Sequence, residues 1–284
     1  MDKGTHAFVK MNGTGNDFVI VDALGAPFTP TPDQVRHICS RGHGVHGGCD
    51  QLIALEPARS DGAVFMRVWN SDGGVVETCG NALRCAGWLM MQGSGREQVA
   101  IETLAGTVLA CRDHADAEGT PMVGVDMGRP RLDWREIPLA EEMDTRGIEL
   151  QVGPIDDPVL HTPGAVSMGN PHVVFFTDRL DDTFVRATGS LIENHPLFPE
   201  RVNVGFAHLE SRARIRLRVW ERGAGLTRAC GTGACAALVA SARRGLSDRM
   251  AQVVLDGGTL QIVWGEDDHV RMTGPVALEG SGRL

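Results

Sequence analysis

The chain of 284 residues is long enough for two domains of ordinary size, each with a core of its own. Its hydrophobic fraction of 42% and charged fraction of 22% lie in the range of soluble globular proteins. A net charge of −9 argues against nucleic acid or an anionic membrane surface as a partner, because both are bound by basic patches.

The sequence carries no recognisable targeting or membrane-spanning signal. Residues 1–16 lack the apolar stretch of a signal peptide, and the most apolar helical run, residues 234–242, is too short to cross a bilayer. The seven cysteines are an odd number scattered along the chain, which does not describe a disulfide framework. We therefore expect a cytoplasmic protein.

Short strands and two apolar helices are predicted along the chain. Strands are predicted where β-branched or alternating runs lie between Gly, Asp and Asn, at residues 17–22, 64–69, 99–103, 107–112 and 214–220. Residues 81–92 and 232–244 are apolar on most faces, which is typical of helices buried inside a protein. Gly93 and Gly245 follow these helices directly and are predicted to end them.

The two halves of the chain repeat one another. Trp69 and Cys79 correspond to Trp220 and Cys230, each 151 positions later, and the surrounding motifs match in the same order. A period of this length indicates duplicated domains related by a pseudo-two-fold axis, because solenoid repeats are roughly 20–50 residues long. We therefore predict an α+β fold with two pseudo-symmetric domains, each a mostly antiparallel curled sheet or barrel around one central helix. The predicted domains span residues 1–127, completed by 275–284, and residues 128–274.

Each central helix begins at a Cys-Gly pair, which makes Cys79 and Cys230 candidate catalytic residues. A thiol at a helix N-terminus feels the positive end of the helix dipole, which favours the thiolate. The first backbone N–H groups are able to receive a carboxylate, and these belong to Gly80, Asn81, Gly231 and Thr232. One thiol on each domain suits inversion of a carbon centre, since one group removes a proton and the other returns a proton to the opposite face.

At these residues the chain resembles diaminopimelate epimerase, a family that works without pyridoxal phosphate in lysine and peptidoglycan-precursor synthesis. The resemblance rests on motifs in one order along nearly the whole chain, at residues 15–18, 79–81, 168–172, 201–206, 221–225 and 229–235. It implies a homodimer that converts L,L-diaminopimelate into the meso isomer, with Cys79 and Cys230 as base and acid.

The resemblance also implies a substrate pocket, which would be lined by Asn16, Gln51, Asn70, Asn170, Asn203, Glu221 and Arg222. Arg222 suits the distal carboxylate of the substrate, because a guanidinium pairs with a carboxylate through two hydrogen bonds. The positions of His172 and Glu221 are associated in the family with the pKa values of the thiols. A structural histidine is an equally good interpretation of His172.

Two other functions fit part of the pattern. A proline or hydroxyproline epimerase would share the two-cysteine design, but it typically has histidine where Asn81 stands, and the polar residues are too many for a substrate with one carboxylate. A thiol redox or sensor protein belongs to a different class; such proteins tend to have a Cys-x-x-Cys pair, which the sequence lacks.

Neither a cofactor nor a metal is expected. A pyridoxal-phosphate enzyme needs a Schiff-base lysine, and Lys3 and Lys10 are the only lysines in the sequence. His43, His46 and Cys49 lie three positions apart, but no fourth ligand has a familiar spacing, so we predict a loop there and not a metal site.

Overall fold

The computed structural model describes residues 6–284, so Lys3 lies outside the described part of the chain. The chain divides into two compact units. Unit 1 comprises the described residues up to Asp126 together with Thr273–Leu284, and unit 2 comprises Met127–Met272. No helix within residues 6–284 has the length and apolar character needed to cross a membrane.

Unit 1 is built from strands with three helical segments. Its elements in chain order are β1 (Ala7–Gly13), β2 (Asn16–Asp22), α1 (Pro32–Cys39), a 3₁₀ turn (Val45–Gly47), β3 (Gln51–Glu56), β4 (Val64–Asn70), β5 (Val75–Val76), α2 (Gly80–Ser94), β6 (Gln98–Thr103), β7 (Gly106–Asp113) and β8 (Met122–Asp126).

Unit 2 contains two α-helices among its strands, and it begins with a separate two-stranded sheet. Its elements are β9 (Gln151–Val152), β10 (Leu160–His161), β11 (Gly164–Ser167), β12 (Pro171–Phe176), α3 (Asp182–Glu193), β13 (Asn203–Ser211), β14 (Arg214–Glu221), β15 (Gly225–Thr227), α4 (Gly231–Arg243), β16 (Met250–Leu255) and β17 (Gly258–Trp264). After it, β18 (Val270–Pro275) crosses the boundary, and β19 (Ala277–Arg283) pairs antiparallel with β1 of unit 1.

The strand pairings confirm the internal repeat. In unit 1, β2 and β3 are parallel and connected through α1, β4 follows antiparallel to β3, and β6 is parallel to β4. In unit 2, β12 and β13 are parallel and connected through α3, β14 follows antiparallel, and β16 is parallel to β14. The hairpins β6–β7 and β16–β17 close the repeated pattern.

The two predicted central helices are present and buried within their own units. Helix α2 packs against β1, β2, β6, β7 and β8, and α4 packs against β11 to β14, β16 and β17. Cys85 in α2 and Cys235 in α4 are both 0% exposed and lie in the cores of their units. This arrangement places the start of each apolar helix at the end of a strand-and-turn segment, where Cys79 and Cys230 lie.

The unit boundaries lie one or two residues before the predicted ones, and three details of the helices also differ from the sequence prediction. Helix α2 continues past Gly93 to Ser94 and is capped by Gly95, whose φ of 68° is the left-handed conformation that glycine adopts readily. Helices α1 and α3 were not predicted, so each unit has an outer helix as well as a central one. Helix α1 has a local signal that could have revealed it, since Thr31 and Gln34 form a reciprocal capping box.

Candidate active site

In unit 1, Cys79 is the residue that precedes helix α2. Its backbone is extended (φ −146°, ψ 116°), and helical geometry begins at Gly80. The side chain is partly exposed. The backbone N–H groups of the first helical turn have no partner inside the helix. The structure therefore gives Cys79 the helix-start position that the sequence predicted.

The polar residues predicted in unit 1 lie at one end of its sheet. Asn16 begins β2, Gln51 begins the parallel strand β3, and Asn70 ends the antiparallel strand β4 directly opposite Gln51. The Gln51 Nε2 atom donates to Asn70 Oδ1 at 2.9 Å. The Asn81 Nδ2 atom donates to Asn16 Oδ1 at 2.6 Å, which connects the start of β2 with the start of α2.

Unit 2 repeats this placement with different side chains. Asn170 lies immediately before β12, Asn203 begins β13, and Glu221 ends β14. These three positions correspond to Asn16, Gln51 and Asn70 in the matching strands of unit 1. Each unit therefore gathers its predicted binding residues at the strand ends near the start of its central helix.

Cys230 precedes α4 and is more deeply buried than Cys79, with 5% of its surface exposed. Its Sγ atom accepts a hydrogen bond from the Gly233 N–H at 3.4 Å and lies 3.6 Å from Thr232 Oγ1. Burial raises the pKa of the Cys230 thiol well above its ordinary value, and the nearby Glu221 carboxylate raises it further, against the opposing effect of the two hydrogen bonds. The Gly233 N–H at the helix start lowers the pKa of Cys230, in the predicted direction, but burial has the larger and opposite effect, so the net shift does not favour the thiolate.

Glu221 is the acidic neighbour of Cys230. Burial raises the pKa of its carboxyl group, and hydrogen bonds from Thr227 and with Cys230 oppose that shift. Cys230 and Glu221 thus occupy one shared, desolvated environment. This placement agrees with the prediction that Glu221 influences the thiol.

His172 is 1% exposed and bridges two polar residues of the site. Its Nε2 atom lies 3.0 Å from Asn170 Oδ1 and 3.0 Å from Thr232 Oγ1. Burial and, to a smaller extent, the positive charge of Arg222 lower the pKa of the imidazole to about 3. His172 is therefore neutral near pH 7 and connects the turn before β12 with the start of α4.

Arg222 and Asn203 are held by main-chain contacts. The Arg222 N–H donates to Asn203 Oδ1 at 2.9 Å, and Asn203 Nδ2 donates to the carbonyl oxygen of Pro171 at 2.8 Å. The Arg222 guanidinium donates to the carbonyl oxygen of Glu200 at 2.8 Å. Asn203 therefore positions the backbone of Arg222 and joins the ends of three strands.

The Gly-rich segment before β3 is not arranged as a metal site. Cys49 is buried with its Sγ atom 3.5 Å from that of Cys39, while His46 packs edge-on against Phe8. Within residues 6–284, no three His, Cys, Asp or Glu side chains form a group suited to a metal ion.

Sequence reasoning missed several residues that contact the predicted site. Arg84 in α2 is 0% exposed and donates to Asn81 Oδ1 at 3.0 Å, and Asp50 accepts from Asn16 Nδ2 at 3.2 Å. An arginine inside an otherwise apolar helix is a signal that could have drawn attention to Arg84. Thr227, which contacts Glu221, carries no comparable signal in the sequence.

Solved structures of other proteins share this fold. A hydroxyproline epimerase from Agrobacterium vitis with bound trans-4-hydroxy-L-proline superposes with a TM-score of 0.65 at 16% identity, covering 99% of this chain and 91% of that one. A methylitaconate-delta-isomerase superposes with a TM-score of 0.62 at 13% identity, covering 100% and 96%. Identities this low establish the shared fold alone.

Sequence comparison identifies the family. The family model for diaminopimelate epimerase matches residues 8–132 and 164–279. The diaminopimelate epimerase of Caulobacter vibrioides is 58% identical over 99% of this chain and 98% of its own length, and that of Phenylobacterium zucineum is 55% identical over 98% and 97%. The chain belongs to the diaminopimelate epimerase family, which confirms the predicted family and its class, the amino-acid epimerases.

Proposed function

We propose that this protein converts L,L-2,6-diaminopimelate into meso-diaminopimelate by a two-base reaction in which Cys79 and Cys230 are the base and the acid. The reaction belongs to lysine and peptidoglycan-precursor synthesis. The observation that carries the proposal is the equivalent position of the two cysteines, since each immediately precedes the central helix of its unit. Membership of the diaminopimelate epimerase family supports the choice of substrate.

The chemistry requires one thiolate and one thiol. The first removes the α-proton, the second delivers a proton to the opposite face of the carbanion, and each group finishes in the protonation state with which the other began. The raised pKa of Cys230 supports its role as the proton donor in the resting enzyme. The first-turn N–H groups of α2 and α4, at Gly80, Asn81, Gly231 and Thr232, are suited to the carboxylate that gains charge as the proton leaves.

The remaining polar residues are proposed to hold the end of the substrate that does not react. Arg222 would pair with the distal carboxylate, and the amide side chains would bind the distal ammonium and carboxylate groups. These amides belong to Asn16, Gln51, Asn70, Asn170 and Asn203. His172 and Glu221 would act on the Cys230 side of the reaction, His172 as a neutral hydrogen-bonding group and Glu221 as an acidic neighbour.

The deciding experiment is deuterium exchange by the reduced protein in ²H₂O without added pyridoxal phosphate. Offered L,L-diaminopimelate, the protein should incorporate deuterium at one α-carbon and form the meso isomer, and Cys79→Ala and Cys230→Ala should each abolish turnover. The Cys85→Ala variant serves as a control, because Cys85 is buried in α2 away from the helix start. Exchange with proline or hydroxyproline, and none with diaminopimelate, would overturn the substrate assignment.

We also propose a cytoplasmic homodimer. Free thiols persist in the reducing cytoplasm. An apolar groove of about 760 Å³ on unit 1, lined by β1, β2, β19 and α2, supports this proposal as a surface on which a second copy would pack. Light scattering should give twice the mass of 30.5 kDa, and a monomer at assay concentrations would contradict the dimer.

A further inference from the structure

A chain of hydrogen bonds in unit 1 connects a buried cation to a partly exposed carboxylate through two amides of the proposed site. Arg84 Nη1 donates to Asn81 Oδ1 at 3.0 Å, Asn81 Nδ2 donates to Asn16 Oδ1 at 2.6 Å, and Asn16 Nδ2 donates to Asp50 Oδ2 at 3.2 Å. Arg84 also donates to Thr14 Oγ1 at 2.6 Å. Every member of this chain lies in unit 1.

The charged residues at the two ends of this hydrogen-bond chain determine how the two amides are oriented. An asparagine amide has an acceptor oxygen and a donor nitrogen of nearly equal shape, so its orientation is set by its partners. Arg84 offers donors alone, which requires an oxygen from Asn81. Asp50 offers acceptors alone, which requires a nitrogen from Asn16. If the Asn81 amide rotated by 180°, its NH₂ group would face the donors of Arg84. If the Asn16 amide did so, its oxygen would face the carboxylate of Asp50.

Both anchors are themselves held in place. Arg84 is 0% exposed and lies one turn into α2. Asp50 Oδ2 accepts from the Asp17 N–H at 3.1 Å, and Arg41 pairs with both Asp50 and Asp17. Lys10 pairs with Asp17 as well, so the carboxylate end is fixed by two cations.

We infer that Arg84 and Asp50 are positioning residues that fix the amides of Asn81 and Asn16 in a single orientation for substrate binding. This inference rests on the proposed function. In the fixed orientation, and among residues 6–284, each amide nitrogen has one N–H without an acceptor, and Asn16 Oδ1 has room for a second donor. Two donors and one acceptor suit an amino-acid group, whose carboxylate accepts hydrogen bonds and whose ammonium donates them.

A double-mutant cycle between Asp50 and Asn16 tests the inference. The Asp50→Ala variant should lose about tenfold in kcat/KM, mostly through KM, the effect of one charge-assisted hydrogen bond. If Asp50 acts through Asn16, the same substitution in an Asn16→Ala background should change kcat/KM by less than about twofold. The Asp50 side chain is 37% exposed, so this variant should fold, as an unchanged circular dichroism spectrum would show.

Two comparisons make the result decisive. Asp33→Ala removes an exposed carboxylate that pairs with Arg36 on α1, and it should leave kcat/KM unchanged. Equal losses from Asp50→Ala in the wild-type and Asn16→Ala backgrounds, or no loss in the wild type, would overturn the positioning role. A wild-type protein that does not exchange the α-proton of diaminopimelate would instead refute the proposed function, so the two failures are distinguishable.

Discussion

Glu193 in α3 offers a direct test of how the Arg222 turn is held. Its side chain is 8% exposed and accepts three hydrogen bonds, from Trp220 Nε1 at 2.7 Å, the Gly223 N–H at 2.8 Å and Arg201 Nη1 at 3.2 Å. Trp220 and Gly223 flank the two residues of the site at positions 221 and 222. A single carboxylate therefore connects the outer helix to the turn that carries Arg222.

The substitution Glu193→Gln keeps the shape of the side chain but replaces one acceptor oxygen by an NH₂ group. In either amide orientation, the N–H of Trp220 or of Gly223 then faces a donor. Losing a hydrogen bond to a charged group and leaving a buried donor unsatisfied costs about 2–3 kcal/mol of unfolding free energy. We also expect a several-fold increase in KM for diaminopimelate, because the Arg222 turn loses its anchor.

Guanidinium denaturation and steady-state kinetics measure the two effects separately. Glu210→Gln is the matched control, since Glu210 pairs with Arg214 at 2.8 Å on the exposed surface of the same unit. It should change the unfolding free energy by no more than about 0.5 kcal/mol. Equal, small losses of stability for both variants, with an unchanged KM, would refute the argument that Glu193 holds the turn.

Further substitutions test the packing of α2 and the protonation of the site. In α2, Gly87→Ala should destabilise the protein by about 1–2 kcal/mol, because the new Cβ would lie 2.5 Å from that of Ala110. An unchanged thermal unfolding midpoint would contradict this prediction. The pKa of His172 is lowered from 6.5 in the unfolded chain to about 3 in the native state, so between these pH values the unfolded chain binds a proton that the native state does not. The free energy of unfolding should therefore fall as the pH drops from 6.5 towards 3. If urea titrations gave a His172→Gln variant the same dependence of unfolding free energy on pH, His172 would not be its source. Glu221→Gln removes an anion that raises the pKa of Cys230, so the alkaline limb of the plot of kcat/KM against pH should move to lower pH. An alkaline limb that stays in place would count against Cys230 as the acid.

The sequence predicted those parts of the fold that depend on local pattern. The strand predicted at residues 214–220 corresponds to β14 (Arg214–Glu221), in which Ile215, Leu217 and Val219 are buried and alternate with arginines. The repeat of Trp69–Cys79 at Trp220–Cys230 predicted two equivalent units, and the strand pairings confirm it. Patterns of period 2 and duplicated motifs are visible in one dimension.

The contacts of the site depend on residues that are distant in sequence, which local pattern does not reveal. Asp50 reaches Asn16 from 34 positions away, and His172 reaches Thr232 from 60 positions away. The protonation of Cys230 also required the structure, because a helix start and burial act on a thiol in opposite directions and only the surroundings decide which is larger.

The two halves of the repeat have kept the cysteine before the helix and changed what surrounds it. Position 84 holds a buried arginine in unit 1, while the matching position in unit 2, 151 residues later, holds Cys235. Asn81 accepts a hydrogen bond from that arginine, whereas its counterpart Thr232 forms a hydrogen bond with the neutral His172. An acidic residue, Glu221, influences Cys230 in unit 2, where unit 1 has the amide of Asn70 at the matching strand end. Duplication has therefore produced two thiols of one type in different electrostatic surroundings, and a difference of that kind is what separates a general acid from a general base.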